Sequence, residues 1–433
     1  MDKHDLERIT VEVENENTLF ADKSYLDSLK STSRIIGRQD KAKELARFLL
    51  GYKKDHVVPF ISAYGRSGSG KSTVIKYVLE NIDPENILYK FVNLRKAKTV
   101  FGCANLILNE FGLPPLKSAQ GINAAIEQIA NAIESSFATA KRHRLFVLVL
   151  DEFDVLFYDK RTSPSDFIYK LLVMQEKLRQ DGNLVCIVAI SNNVMSDYEV
   201  DDRVRSRIGS SSEVFFGPYG KNEVLEILKD RAEIAFAEKV DSAIIEYCAE
   251  QSSEEHGDAR RAIDLLRVAA EIAGTKGEKL AKNHVDLAAQ QLQKDRISIV
   301  LSNSSYHLKV ACAALARITY TTGEKWNSTS SIYEQYCGLL QKGTKPLSYR
   351  RVSELLTELE NTGLVSSQTL SKGRHGYGSQ YRLTVSPEMV GKTCFPDWWK
   401  GVVRSKELND KVEALSKSLS SLGSRRRNRF SLL

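Results

Sequence analysis

No apolar run in the 433 residues approaches the ~20 needed to cross a bilayer, and no membrane association is expected. The opening Met1-Asp2-Lys3-His4-Asp5 lacks the apolar core of a signal peptide. Six cysteines, at 103, 186, 248, 312, 337 and 394, are scattered with no C-x-x-C pair. That spacing argues against a structural zinc site and for a reducing compartment, so the expected location is cytoplasmic. Cys186 lies in the apolar run 184–190 and reads as an inert core residue. No internal repeat is evident. The composition, 42% apolar and 27% charged, is ordinary for globular domains, and the length suggests two to three of them.

What is present is chemically specific. The segment Gly65-Arg66-Ser67-Gly68-Ser69-Gly70-Lys71-Ser72 fits G-x-x-x-x-G-K-[S/T]. The apolar run 57–63 before it predicts a buried strand, and Val74, Ile75, Val78 and Leu79 after it predict a helix. Glycines let backbone N–H groups turn inward around a polyphosphate at a helix N-terminus. Gly65, Ser67, Gly68, Ser69, Gly70, Lys71, Ser72 and Thr73 are therefore expected to hold ATP or ADP. Lys71 would reach the β- and γ-phosphates, and the Ser72 hydroxyl would ligate Mg²⁺. A second apolar run, 145–150, ends in Asp151-Glu152. Asp151 at the strand tip suits the Mg²⁺ shell, and Glu152 suits orienting or polarising the attacking water.

Along the chain, 1–34 is polar and reads as an extended arm. Strand-like runs at 59–63, 87–93, 145–150, 184–191 and 213–216 alternate with helical patterns, which predicts an α/β base with a parallel sheet over 35–217. Helical patterns alone fill 218–298, as in a lid. From 299 to 390 the pattern is three helices followed by two alternating runs, 365–370 and 380–385, around a glycine-rich basic turn: a winged helix. Ser348 is placed to cap the third helix and Gly363 to end it. Residues 391–433 form a basic tail whose Leu408, Val412, Leu415, Leu419 and Leu422 suit an amphipathic helix rather than a zipper.

Charge follows this division. From residue 299 onward 20 Lys/Arg face 10 Asp/Glu, a net +10, while the remainder has 42 against 45, a net −3. Such asymmetry suits a nucleic-acid-binding module, since clustered cations neutralise phosphates and release counterions. On the third helix, Val352, Leu355, Leu356 and Leu359 form the apolar face. Tyr349, Arg350 and Arg351 near its start are candidate DNA contacts, and Lys372, Arg374 and His375 ride the wing. Glu354 and Glu358 oppose DNA unless they turn away.

The phosphate loop paired with the apolar-strand-D-E element resembles the AAA+ ATPases. More narrowly, the chain resembles the archaeal replication initiators of the origin-recognition and cell-division-control-6 type, in order over about residues 15–390. The resemblance is carried by D-E-F-D at 151–154, I-S-N-N at 190–193 and D-R-V-R-S-R at 202–207. G-D-A-R-R-A-I-D-L-L-R at 257–267 and R-R-V-S-E-L-L-T-E-L at 350–359 add to it. It implies an AAA+ base, a helical lid and a C-terminal winged helix. Asn192 would be sensor one, with Asn193 the alternative, and Arg260 of sensor two would meet the γ-phosphate. Arg207 would be the arginine finger offered to a neighbour, unless it forms an ion pair within its own chain. Ile36, in Ile35-Ile36-Gly37-Arg38, would pack on adenine, although proline and histidine commonly precede that arginine in the family. A DNA-touching insertion would lie between Asn93 and Ile122, with Arg95, Lys96, Lys98 and Lys117.

The function so implied is that of a nucleoid-associated initiator. It would bind double-stranded origin DNA, assemble with paralogous initiator subunits and help load an MCM-type replicative helicase, with slow ATP hydrolysis as the switch. The competing readings are a clamp-loader-like or remodelling ATPase and a winged-helix ATPase regulator. Clamp loaders end in a helical collar rather than a winged helix, and such regulators usually append a sensor domain.

Overall fold

The computed structural model describes residues 19–27, 34–54, 56–97, 99–139, 144–159, 162–208, 212–253, 258–371 and 377–408, with the single residues 5 and 411. The chain divides into two units, Met1–Val285 and Asp286–Leu433.

In the first unit, β1 (Phe60–Tyr64), β2 (Ile87–Asn93), β3 (Leu145–Asp151), β4 (Leu184–Ser191) and β5 (Glu213–Phe215) form one sheet of order β2-β3-β4-β1-β5. Every pairing in it is parallel. Both faces of the sheet are covered, which is why β3 can be apolar at six successive positions. Helices α1 (Gln39–Leu49) and α2 (Lys71–Asn81) pack with one side of the sheet. On the other lie α3 (Val100–Glu110), α4 (Gly121–Thr139) and α5 (Pro164–Gln180). The Ser163 hydroxyl caps α5 and Pro164 opens it. Short α6 (Asp202–Ile208) follows β4.

Three helices complete the unit as a lid: α7 (Lys221–Ala235), α8 (Ser242–Ser253) and α9 (Ala259–Thr275). Their apolar faces, with Val224 and Leu228, Ile245 and Cys248, and Ile263 and Leu266, are buried as the spacing predicts. The expectation of an extended arm over 1–34 is corrected at 19–27, and 1–4, 6–18 and 28–33 lie outside the described residues. Phe20 forms an antiparallel bridge with Phe236, Ala21 N–H donates to Ala235 O at 2.9 Å, and Leu26 is fully buried. The side chain of Arg231 on α7 donates to Tyr25 O at 2.8 Å and Asp27 O at 3.1 Å. The segment docks on the lid because its few apolar residues, Phe20 and Leu26, find partners there.

α10 (Lys282–Ser302) begins in the first unit and ends in the second. The second unit continues with α11 (Tyr306–Thr322), β6 (Asn327–Ser328), α12 (Thr329–Leu339), α13 (Tyr349–Asn361), β7 (Val365–Ser371), β8 (Tyr377–Leu383) and α14 (Pro387–Cys394). β6, β8 and β7 form an antiparallel sheet in that order. Three helices and a β-hairpin make the expected winged helix, with Val352, Leu355, Leu356 and Leu359 of α13 in its core. Ser348 Oγ accepts from Arg351 N–H, and Gly363 follows the helix at φ 73°, a left-handed turn. The hairpin strands run further than the alternation predicts, pairing as far as Ser371 with Tyr377.

The boundary expected at 390 falls inside α14. Beyond it, in a further helical stretch over 396–408, Trp399 and Val402 are buried in the same core. A Cβ on Gly391 would lie 2.0 Å from the Trp399 ring, so that glycine is where the helix admits the indole. The rest of the heptad pattern, from Val412, lies outside the described residues.

At the opposite end of the sheet from the phosphate loop, Asp83 ties the turn 50–54 to the turn that leads into β2. It accepts from Tyr52 OH at 2.7 Å, Lys53 Nζ at 2.6 Å and Asn86 Nδ2 at 2.8 Å. Those bonds, Lys53 first, bring its carboxyl down to about 2. A carboxylate depressed in the folded state stabilises above its unfolded pKa and loses that contribution as pH falls toward the folded value. Asp83→Asn is therefore expected to lower stability by about 1–2 kcal/mol at pH 7, after discounting for solvent at Lys53. Urea melts should show the difference shrinking between about pH 4 and pH 2; a gap that does not change with pH would refute the assignment.

Candidate functional site

The phosphate loop sits where parallel sheets place ligands, beyond the strand carboxyl ends. Gly68 and Gly70 have φ of 75° and 90°, and a Cβ on either would collide with Asp258 Oδ1 (1.8 Å) or Tyr219 OH (2.2 Å). The loop is thus pressed against the lid at one glycine and against the chain after β5 at the other. Lys71 opens α2 and is buried. Its Nζ donates to Gly65 O at 2.6 Å, Arg66 O at 3.0 Å and Asn192 Oδ1 at 3.4 Å. Burial brings its pKa down to about 8, opposed by the negative charge of Asp151 and Asp154.

Ser72 Oγ donates to Asp151 Oδ2 at 3.1 Å, and Asn93 Nδ2 at the end of β2 reaches the same oxygen at 3.4 Å. Burial raises the Asp151 carboxyl above the usual range, against these hydrogen bonds. Glu152 next to it has φ 56°, the one non-glycine residue with positive φ among the described residues. A left-handed glutamate is strained, and such strain collects at functional sites. Burial, then the adjacent Asp151, raises its carboxyl too.

One cavity is lined by Ser67 to Ser72, Asp151, Glu152, Asn192 and Arg260. The structure therefore brings the predicted loop, the two acids, the β4-end asparagine and the lid arginine to one place. Asn192 faces that cavity; the neighbouring Asn193 does not line it. Asp258 caps α9 by accepting from Arg260 N–H at 2.9 Å, which fixes where the Arg260 side chain leaves the helix. Gly257, quoted with this segment, lies outside the described residues. A second cleft adjoins the first, sharing Gly68, Gly70 and Arg260 with it. Ile35 and Ile36 line it with Thr73, Val74, Tyr219, Ile227 and Ile263, so Ile36 lies in a largely apolar cleft beside the phosphate loop.

The residues fit a magnesium-bound nucleotide. Ser69 Oγ in the loop is buried with no hydrogen-bond partner among the described residues, a polar atom left for a ligand. Ser72 and Asp151 are a hard oxygen pair, suited to Mg²⁺ that completes its shell with water and phosphate. No cluster of three His, Cys, Asp or Glu that could hold a metal by itself occurs among the described residues.

Two residues escape sequence reasoning. Asp154 is buried and accepts from Asn192 N–H at 3.0 and 3.1 Å and from Asn192 Nδ2 at 2.9 Å. It lies in the D-E-F-D run, but only the parallel pairing of β3 with β4 brings it to Asn192. Arg38 is also buried. It donates to Ser69 O at 3.2 Å, Gly217 O at 2.7 Å and Gly37 O at 2.8 Å, and it pairs with Glu223 of α7 at 3.2 Å. Its guanidinium lies 3.8 Å from the Tyr219 ring centroid.

Arg207 is engaged within its own unit. It donates to Glu176 at 3.0 Å and lies over the Tyr169 ring, on whose face Arg203 also sits. Of the expected DNA contacts, Tyr349, Arg350 and Arg351 are exposed at the start of α13. Glu354 pairs with both arginines, at 3.5 Å to Arg350 and 2.7 Å to Arg351, so that acid faces them rather than turning away. Lys96 is exposed in the turn after β2; Lys98 and the wing residues Lys372, Arg374 and His375 lie outside the described residues. Between Asn93 and Ile122 the chain forms α3, whose Val100, Cys103, Ala104, Ile107 and Leu108 are core, so only its flanking turns can present cations.

The parallel sheet, the phosphate loop after β1, the acids after β3 and the helical lid are those of an AAA+ ATPase, joined in one chain to a winged helix. Comparison with known proteins agrees. Residues 57–194 match the AAA domain family, 225–290 the Cdc6 AAA+ ATPase-type lid domain and 299–393 the CDC6 C-terminal winged helix domain. The ORC1-type DNA replication protein of Thermococcus kodakarensis is 32% identical over 393 residues, 86% of this chain and 90% of that one. The Aeropyrum pernix ORC1 protein, solved in complex with DNA, superposes with a TM-score of 0.66 at 27% identity, covering 89% of this chain and 99% of that one. The ORC2 protein of the same organism, solved as ADPNP–ADP complexes, shares the fold at 20% identity and a TM-score of 0.61, covering 90% and 100%. The chain belongs to the ORC1-type family of DNA replication initiators. No helix among the described residues is long and apolar enough to cross a membrane.

Arg38 joins the phosphate loop, the strand-end turn and the lid through a planar fork that lysine cannot imitate. Arg38→Lys is expected to cost about 2–3 kcal/mol in denaturant melts, since it leaves buried carbonyl oxygens unmatched. Unchanged stability would show that the contacts contribute nothing.

Proposed function

We propose that this initiator binds double-stranded origin DNA and uses ATP binding and slow hydrolysis as the switch that governs loading of an MCM-type helicase. The observation that carries the reading is the convergence of Lys71, Asp151, Glu152 and Asn192 of the base with Arg260 of the lid on one cavity. A γ-phosphate there would be sensed from both sides, so its presence or loss would change the closure of the lid.

Each residue has a physical task in this reading. The loop N–H groups and Lys71 would bind the polyphosphate, and Ser72 with Asp151 would hold Mg²⁺. Held at that oxygen pair, Mg²⁺ would supply positive charge to offset the charge on the phosphates. Glu152 orients the attacking water. Asp154 fixes the Asn192 amide so that its oxygen faces Lys71, leaving the second Nδ2 hydrogen for the γ-phosphate or the water. Arg260 draws the lid onto the phosphate. Arg207 serves as the finger only if a neighbour's nucleotide outcompetes Glu176 for its guanidinium, which fits a switch that fires when paralogous subunits assemble on DNA. Ile36 supports the adenine. The exposed Tyr349, Arg350 and Arg351 and the net +10 of the C-terminal third support duplex binding by the winged helix. Binding by the related Aeropyrum pernix ORC1 protein, solved with DNA, supports it too.

Lys71→Ala is expected to abolish nucleotide binding in equilibrium titration with a fluorescent ATP analogue. Glu152→Gln is expected to bind ATP within a few-fold of wild type while kcat falls at least about a hundredfold. Equal turnover in that variant would move the water-activating role elsewhere. Filter binding across a salt series should show preference for the chain's own origin duplex over random duplex; no preference would defeat the site-specific claim.

A further inference from the structure

We propose that the loop 340–348, between α12 and α13, is a preorganised clamp for the phosphate backbone of duplex DNA, with Lys342 and Lys345 as its contacts. The proposal rests on the DNA-binding reading above and assigns much of the electrostatic attraction to a place other than the recognition helix.

The arginines that open α13 are already compensated. Glu354 accepts from Arg351 at 2.7 Å and lies 3.5 Å from Arg350, so the pair presents about one net positive charge rather than two. Lys342 and Lys345 are different. Both are exposed, and neither pairs with a carboxylate among the described residues. They flank a turn in which Thr344 N–H donates to Gln341 O at 3.0 Å and Gly343 takes φ 93°. Pro346 stiffens the exit.

An exposed lysine loop would ordinarily be solvated and nothing more. Here the ends of the loop are fastened from below by three tyrosine hydroxyls. Gln341 N–H donates to Tyr306 OH at 3.0 Å, and Leu347 N–H donates to Tyr336 OH at 3.3 Å. Tyr333 OH donates to Leu347 O at 3.1 Å. The buried Tyr336 is itself oriented by His307 Nδ1 at 2.6 Å, and Tyr333 stacks edge-on with the exposed Tyr349 at 5.5 Å. One framework therefore holds Lys342, Lys345 and Tyr349 in a fixed relation. Holding a loop in its binding shape removes the ordering cost that a flexible one would incur on contact. Phosphate contacts position a protein without reading sequence, so the clamp should serve origin and random duplex alike.

The test is a salt titration of duplex binding by the full chain, wild type against the double variant Lys342→Ala/Lys345→Ala. Each phosphate neutralised contributes about 0.9 to the slope of log K against log salt. The double variant should therefore lose about two units of slope, reducing the affinity change between 50 and 200 mM salt about tenfold. The loss should be the same for origin and random duplex. Tyr336→Phe, which keeps both lysines but releases Leu347, should weaken binding several-fold with the slope unchanged. A wild-type slope in the double variant would overturn the clamp while leaving binding by α13 intact. Absence of duplex binding by the wild type would instead remove the DNA-binding reading itself.

Discussion

A cation buried without a directly bonded anion is the constraint around which the first unit is built. The ammonium of Lys71 is satisfied by two carbonyl oxygens of its own loop and one amide oxygen, while Asp151 and Asp154 act on it through space. Dipoles of this kind solvate a charge less well than water does, which is why its proton is held only to about pH 8. Such a site gains most from an incoming polyanion. The carbonyl oxygens of Gly65 and Arg66 and the amide at the end of β4 orient this amine toward the cavity that it lines.

The same region shows how a phosphate-sized signal can reach a whole domain. Residues 34–36 line the second cleft and lead into Arg38, which grips the phosphate loop and α7 together. Upstream, residues 19–27 are fastened to α7 through Arg231, which lines that same cleft. The chain thus passes from lid to cleft to base within twenty residues. A ligand between them touches the strap, the loop and the lid at once, and small shifts there have few places to dissipate.

Much of this was legible in the amino-acid sequence, for identifiable reasons. Buried parallel strands are continuous apolar runs, so β2 and β4 could be bounded to the residue, and the phosphate loop announces itself by spacing. The apolar face of α13 and its Ser348 cap follow from the helical period. What escaped depends on which strands are neighbours. Asp154 was quoted only as part of the D-E-F-D run and given no role, and its contact with Asn192 depends on β3 and β4 being neighbours. Arg38 was placed in the adenine-pocket segment but given no contact, because nothing local distinguishes a buried arginine from a solvated one. The docking of 19–27 and the burial of Trp399 were missed because isolated apolar residues in polar surroundings carry no periodicity. Glu354 was noticed as a problem for DNA, but pairing with both arginines is a matter of rotamers, which spacing alone does not fix.

The way Arg38 is held has a consequence for how this protein can change over time. Three of its partners are backbone oxygens, of Gly37, Ser69 and Gly217, and side chains come only from Glu223 and the ring of Tyr219. Backbone oxygens survive almost any replacement of the residue that carries them. For the bond at 217 the side chain there is therefore free to change, whereas Gly37 is held by its φ of 68° and by Glu223 packed where a Cβ would stand, and the arginine has no substitute. Among related chains it should stand as a fixed point with few correlated partners, so methods that infer contacts from correlated change would pass over the residue joining loop to lid.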